Sequence, residues 1–230
     1  MLWQENPDNE YKIVSDDVQD LSFRFTCAQL PVDHAWLLSN AIRQVLPWID
    51  QEPDVAIHSI HGAASGNGWS RPTESAGDDL QLSKRTRLYL RLPKHRLGDA
   101  RQMHGTVLDL GDYQIQIGEA RPRKLTPSTT LFSRSVSSAN IEDENTFTGE
   151  MIDALEYQGI RATKMLFGLA HAIHRPDSEI KARSVLLADL EFEDSIKLQQ
   201  NGLGHEQLMG CGIFLPHKSL AAVGASQDND

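Results

Sequence analysis

Apolar and polar residues alternate along Leu21-Ser22-Phe23-Arg24-Phe25, the two-residue period of a half-buried strand. The period lengthens after Pro31-Val32-Asp33. Trp36, Leu37, Ile42, Val45 and Leu46 recur close to helical spacing, which predicts a helix over 34–49 with Asp33 as its N-cap. Residues 55–60 read as a second strand, and 87–93 as a third that ends at its proline. Between them, 62–79 is rich in Gly, Ser and Asp, contains Pro72, and reads as a mobile loop. A short helix over 97–107 and a cleanly alternating strand over 113–118 follow.

The same order then returns. Strands are predicted at 130–136, 165–173, 182–190 and 211–215, with helices over 147–157 and 193–200. The chain therefore reads as βαββαβ twice. That pattern predicts an α+β fold of two tandem ferredoxin-like, RRM-like halves, each with helices on one face of an antiparallel sheet. The expected organisation is an acidic flexible arm over 1–19, a first half over 20–124, a second half over 125–217 and a flexible tail over 218–230. The halves divide near Lys124-Leu125-Thr126-Pro127.

With 230 residues, 40% of them hydrophobic and 23% charged, the chain can build one large domain or two small ones. No apolar run approaches the roughly 18–20 residues of a membrane span. The start, Met1-Leu2-Trp3-Gln4-Glu5-Asn6-Pro7-Asp8, has neither a basic beginning nor an apolar stretch, so no signal peptide is expected. Cys27 and Cys211 lie far apart and form no CxxC pair. A disulfide framework and a cysteine zinc site are not expected, and a reducing cytoplasm is.

Net charge is −10, which argues against a nucleic-acid partner until its distribution is read. Residues 1–20 carry a net −5 and 223–230 a net −2. Residues 81–125 carry a net +6, from Lys84, Arg85, Arg87, Arg91, Lys94, Arg96, Arg101, Arg121, Arg123 and Lys124 against four acids. Such a stretch is either a solvated face or a phosphate-binding one. Arg85, Arg87 and Arg91 share one parity, so they are expected to project from the helix-free face of the third strand. Arg121, Arg123 and Lys124 stand where the first half meets the second, and Arg134 stands on the first strand of the second half.

The most specific motif is Gly202-Leu203-Gly204-His205-Glu206-Gln207-Leu208-Met209-Gly210-Cys211-Gly212. Two glycine pairs, each spaced by one apolar residue, flank five others. Glycine admits positive φ and close backbone approach, and successive N–H groups in such turns can form an anion-binding concavity. The alternative is a turn that only joins helix to strand. A nucleotide phosphate loop is excluded, because it would need Gly-Lys-Ser/Thr opening a helix. His171-Ala172-Ile173-His174 is an HxxH without a carboxylate or cysteine at ligand spacing, so no metal site is expected there.

On this glycine motif the chain resembles the repeat-associated mysterious protein superfamily of CRISPR systems. Within it, the chain is most similar to the endoribonucleases that process precursor CRISPR RNA. The likeness covers roughly residues 20–217. It includes Leu30-Pro31-Val32-Asp33-His34, Ile57-His58-Ser59-Ile60-His61-Gly62, Arg87-Leu88-Tyr89-Leu90-Arg91-Leu92-Pro93, Leu125-Thr126-Pro127-Ser128-Thr129-Thr130-Leu131-Phe132-Ser133-Arg134 and Ile213-Phe214-Leu215-Pro216.

The resemblance implies metal-independent, cofactor-free cleavage of a CRISPR repeat stem-loop to mature guide RNA. The ribose 2′-hydroxyl attacks the neighbouring phosphate and leaves a 2′,3′-cyclic phosphate and a 5′-hydroxyl. This needs a base at the 2′-hydroxyl and cations around the phosphate. It makes His34 and His58 competing candidates for the base. Arg85, Arg87, Arg91, Arg121, Arg123, Lys124, Arg134, Gly202, Gly204, His205, Gly210 and Gly212 become the expected RNA contacts. Other subunits of a CRISPR effector complex are expected partners. Two departures from the family pattern stand out. Many members place the base at the end of the first helix, where this chain has Ile49-Asp50, and the glycine motif's centre carries no lysine or arginine. An RNA-holding subunit that does not cleave is the second reading, and a small-molecule-binding protein of this fold the third.

Overall fold

The computed structural model describes residues 15–61 and 79–217. The predicted arm up to residue 14, nearly all of the predicted loop over 62–79 and the predicted tail over 218–230 lie outside these residues.

The first half runs β1 (Val18–Thr26), β2 (Gln29–Pro31), α1 (Ala35–Val45), β3 (Ala56–Ile57), β4 (Asp79–Gln81), β5 (Leu88–Pro93), α2 (Leu97–Ala100), β6 (Val107–Asp109) and β7 (Gln114–Lys124). The second runs β8 (Thr130–Ser137), α3 (Glu144–Tyr157), β9 (Lys164–Arg175), β10 (Ser178–Ala188), α4 (Phe192–Asn201) and β11 (Leu215–Pro216). The first sheet has the order β3-β5-β1-β7-β6 and the second β11-β8-β10-β9. All of their pairings are antiparallel. If the β6 edge is set aside, both sheets place the last strand of the half beside its first and the third on the first strand's other side. The fold is α+β, as the repeated element order predicts.

Alternation explains how each sheet finds its core. Leu21 and Phe23 of β1 and Leu88, Leu90 and Leu92 of β5 are fully buried, and they meet Leu38, Ala41 and Ile42 of α1. Each such side chain contributes about 1.5–3 kcal/mol by leaving water. In the second half, Leu131, Val185 and Leu187 of the sheet meet Phe147, Met151 and Leu155 of α3 and Leu198 of α4. Phe147 packs edge-on against Phe167 at 5.1 Å. A third, smaller cluster joins the halves. Ile173 and Ile180 from the β9–β10 hairpin and Met209 and Cys211 from the glycine segment receive Ala35 and Trp36 of α1.

Several elements differ from their predicted extent. β1 begins at Val18, so the last two residues of the predicted arm are strand. α1 is shorter than predicted, and His34, not Asp33, occupies its N-cap position. Asp33 is instead taken by the second half, where its carboxylate accepts from the His174 N–H at 3.0 Å. The strand predicted over 55–60 pairs only at Ala56–Ile57, because the Ile60 N–H donates to His34 Nε2 at 3.0 Å rather than to a neighbouring strand. β7 runs on to Lys124, so Arg121 and Arg123 lie in the sheet and not in a linker. Among the described residues no helix is long and apolar enough to cross a membrane.

The glycine segment follows α4 and closes on itself. The Leu203 N–H donates to Gly212 O at 3.1 Å, and the Gly212 N–H donates to Ser135 O of β8 at 2.7 Å. Gly212 has φ +67°, and a Cβ there would lie 2.3 Å from Leu203 O. Gly98 in α2 has nothing within 4 Å of such a Cβ. Gly212→Ala is therefore expected to destabilise the fold by about 2 kcal/mol or more. Gly98→Ala is expected to stabilise it by about 0.5 kcal/mol. Thermal or denaturant unfolding of the two variants checks both signs.

Candidate functional site

On β5 the leucines face the helices, so Tyr89 and Arg91 face the other way. Register extends that helix-free face across the sheet. Tyr89 stands opposite Ser22, and Arg91 opposite Asp20. Ser22 and Asp20 stand in turn opposite Arg121 and Arg123 of β7. On the far side the His58 N–H donates to Tyr89 O at 3.0 Å, and the two rings lie 5.7 Å apart. His58, just after β3, thus shares one face with Tyr89 and Arg91 of β5, Asp20 of β1, and Arg121 and Arg123 of β7.

Arg91 is the anchor of this face. It is 2% exposed. Its Nε donates to Asp20 Oδ1 at 2.8 Å and its Nη2 to Asp20 Oδ2 at 3.2 Å, a forked pair. Its Nη1 donates to Gln199 O at 2.8 Å and to Phe214 O at 3.1 Å, both in the second half. The parity that put Arg91 on the helix-free face is right. The inference that this face is open at Arg91 is not, because the second half covers it. Arg91 is a pin between the halves.

The two candidate histidines have different surroundings. Both nitrogens of His34 are engaged, Nδ1 with Pro31 O at 2.9 Å and Nε2 with the Ile60 N–H at 3.0 Å. The ring is therefore neutral, with its proton on Nδ1. Burial pushes its pKa down, more than Pro31, Val32 and Asp33 raise it. His34 ties the start of α1 to the chain after β3. His58 Nε2 lies 3.4 Å from Asp20 Oδ1, at ion-pair distance and without hydrogen-bond geometry. Burial lowers the His58 pKa, and Asp20 opposes that shift. Burial would raise the Asp20 carboxyl, but His58 and Arg91 together hold it well below the usual carboxylate range.

The predicted RNA contacts separate into three groups. Arg121 and Arg123 are exposed on the shared face. Arg123 donates to the Tyr89 hydroxyl at 3.1 Å and lies over its ring at 5.9 Å. Arg85 and Arg87 precede β5. Arg85 is exposed, and Arg87 closes its own turn onto Lys84 O and Thr86 O at 2.9 and 2.7 Å. Lys124 pairs with Asp16 at 3.2 Å, the salt-bridged role that competes with phosphate binding. Arg134 is exposed on β8 and belongs to the second sheet.

The glycine motif also separates. The N–H groups of residues 202, 203 and 209–212 all donate to carbonyls of the chain itself. Gly210 packs where a Cβ would lie 2.3 Å from Ser59 Oγ, one residue from His58. Gly210 thus serves close approach to the first half, whereas Gly202 and Gly212 close on each other's limb and Gly204 packs on Val136 and Ser137 of β8. His205 is exposed and lines a cleft of about 450 Å³ with Arg43, Arg91 and Gln207. His171 Nε2 meets Ser135 Oγ at 2.9 Å, and His174 Nδ1 meets Asp33 at 2.6 Å, so the HxxH histidines diverge. Among the described residues no group of three or more His, Cys, Asp or Glu could hold a metal ion. Asp50 lies beyond α1 and pairs with Arg43 at 2.8 Å.

Asp20 and Tyr89 are the site residues that sequence reasoning missed. Their signal was strand parity, which gains meaning only once register sets them beside His58 and Arg91.

A family model described as Cas6 Crispr matches residues 19–219. A relative from Myxococcus xanthus (strain DK1622), "CRISPR-associated endonuclease Cas6", is 26% identical over 204 residues, 89% of this chain and 84% of the relative. The solved structure "CRISPR associated protein Cas6" superposes with a TM-score of 0.58 at 9% identity, covering 87% of this chain and 100% of that one. "Characterization of a Cas6-related gene from Pyrococcus furiosus" gives 0.58 at 12%, covering 88% and 99%. These two structures share the fold. The family match takes in β1 through β11, and with it both sheets, the His58 face and the glycine motif: the chain belongs to the Cas6 family of CRISPR proteins.

Proposed function

We propose that this protein is an endoribonuclease that binds the stem-loop of CRISPR repeat RNA and cleaves precursor CRISPR RNA to mature guide RNA without a metal ion. The observation that carries this reading is the shared sheet face, which sets a histidine and two exposed arginines on one side of the first sheet. Both halves are ferredoxin-like modules, and the strand order common to the two sheets supports that assignment. The protein works in the cytoplasm, and it stays with the cut RNA among other effector subunits.

Neutral His58 removes the ribose 2′-hydroxyl proton. The 2′-oxygen then bonds to phosphorus, the bond from phosphorus to the 5′-oxygen breaks, and that oxygen takes a proton from solvent. The products are a 2′,3′-cyclic phosphate and a 5′-hydroxyl. Arg121 and Arg123 neutralise phosphates, and the guanidinium of Arg123 and the ring of Tyr89 offer planes on which a base can stack. His58 suits the role because its lowered pKa keeps the ring neutral at physiological pH.

A second reading, an RNA-holding member that does not cleave, is favoured by one observation: the His58 side chain is only 9% exposed. Cleavage of labelled repeat hairpins in EDTA decides between the two. The wild type is expected to cut, and His58→Ala to cut at least about 100-fold more slowly with binding kept. His34→Ala is expected to lose about 1–3 kcal/mol of stability by leaving the Ile60 N–H unsatisfied, and to cleave while folded. Binding without wild-type cleavage would establish the second reading.

The rate should be flat with pH from about 6.5 upward, the ordinary histidine value, and fall at lower pH as His58 protonates. Replacing Arg121 and Arg123 together by alanine should weaken hairpin binding and flatten its log-affinity against log-salt slope by about 2. An unchanged slope would remove those arginines from the RNA surface.

A further inference from the structure

Asp20 has no assigned part in this chemistry, yet its position is tightly determined. It sits on β1 directly opposite Arg91, and the forked pair fixes both carboxylate oxygens. Arg91 cannot swivel to release it, because its remaining nitrogen donates to two carbonyls of the second half. The oxygen that accepts from Arg91 Nε also faces His58 Nε2 at 3.4 Å. A bare ring nitrogen facing an ionised carboxylate would be repelled, so the nitrogen on that side carries the proton. The lone pair of the neutral ring is then on Nδ1.

We propose that Asp20, clamped by Arg91, is a positioning residue for His58. Its charge favours the tautomer with the proton on Nε2 and leaves Nδ1 to take the 2′-hydroxyl proton. This inference rests on the reading of His58 as the base. When that proton arrives, the ring becomes a cation facing Asp20, which stays ionised and stabilises it. The charged groups facing the ring are Asp20 from β1, which favours the cation, and Arg91 from β5, which opposes it. Arg91 also makes the alignment depend on docking of the halves. Its grip on Gln199 and Phe214 brings Asp20 into place only when α4 and the segment before β11 are seated.

The test is Asp20→Asn, assayed on repeat hairpins in EDTA. The expected result is a kcat loss of about 100-fold or more, with RNA affinity within about threefold of wild type. The acid limb of the pH profile should also move to lower pH, because the carboxylate that favoured the ring cation is gone. A merely structural Asp20 would not move that limb. Since Asp20→Asn leaves Arg91 buried without its ionic partner, Asp20→Asn with Arg91→Gln removes both charges together and should show the same loss.

A third measurement needs no mutant of the pair. Imidazole nitrogen NMR of the wild-type chain, with His58 assigned by comparison with His58→Ala, should show the Nε2–H tautomer. An Nδ1–H tautomer, or a folded Asp20 variant with unchanged kcat and acid limb, would overturn the positioning role. Wild-type cleavage by His58→Ala would overturn the base assignment itself, and this inference with it.

Discussion

Burying a guanidinium is costly unless every face of it is met, and that constraint organises this molecule around Arg91. Its forked pair with Asp20 neutralises the charge within the first sheet, and two carbonyls of the second half take its remaining donor. Neither half alone supplies all four bonds. The residue therefore couples the pairing of β1 with β5 to the seating of α4 and the chain before β11. A hydrophobic residue there would be cheaper to bury, but it would not fix a carboxylate beside His58.

The glycine segment acts at the same junction by a different means. Where Arg91 joins the halves through charge, Gly210 joins them by having no side chain. Gly210 lets the segment approach Ser59, and Gly212 lets its two limbs close against each other and against β8. Met209 and Cys211 between them face Trp36 of α1. The motif packs on Ser59, the residue after His58, so it bears on the site through packing, while the N–H groups of 202, 203 and 209–212 are used within the protein. The hairpin end of β9 and β10 completes the junction, with His174 on Asp33 and Arg175 on Glu206.

Charge is sorted by sheet face and not by position in the chain. Of the ten bases that make residues 81–125 positive, Arg91 is consumed inside the junction, Lys94 and Lys124 are held by Asp16, and Arg96 by Glu52 and Asp99. Arg121 and Arg123 remain exposed beside Tyr89, on the face that His58 shares. An acidic protein can in this way present a basic strip. Asp16, before β1, takes up Lys94 and Lys124 at the rim, while arginines with planar, stackable heads stay on the face.

Periodicity is a local property, so the order of strands and helices and its repetition could be read along the chain. The same holds for the parity that puts Arg91 on the side away from Leu88, Leu90 and Leu92. What lies over a face is decided by residues far away. Arg91 is met by Asp20, Gln199 and Phe214, separated from it by 71, 108 and 123 positions. His34 and His58 could not be told apart by sequence, since each lay near the first helix with plausible chemistry. Tertiary structure separated them by closing both nitrogens of His34 within the fold and by setting one nitrogen of His58 against a carboxylate. The glycine motif was visible as a pattern of permitted backbone. Whether that freedom would serve a phosphate or a neighbouring strand depended on which atoms the fold brought to it, and it brought Ser59, Leu203 and Ser135.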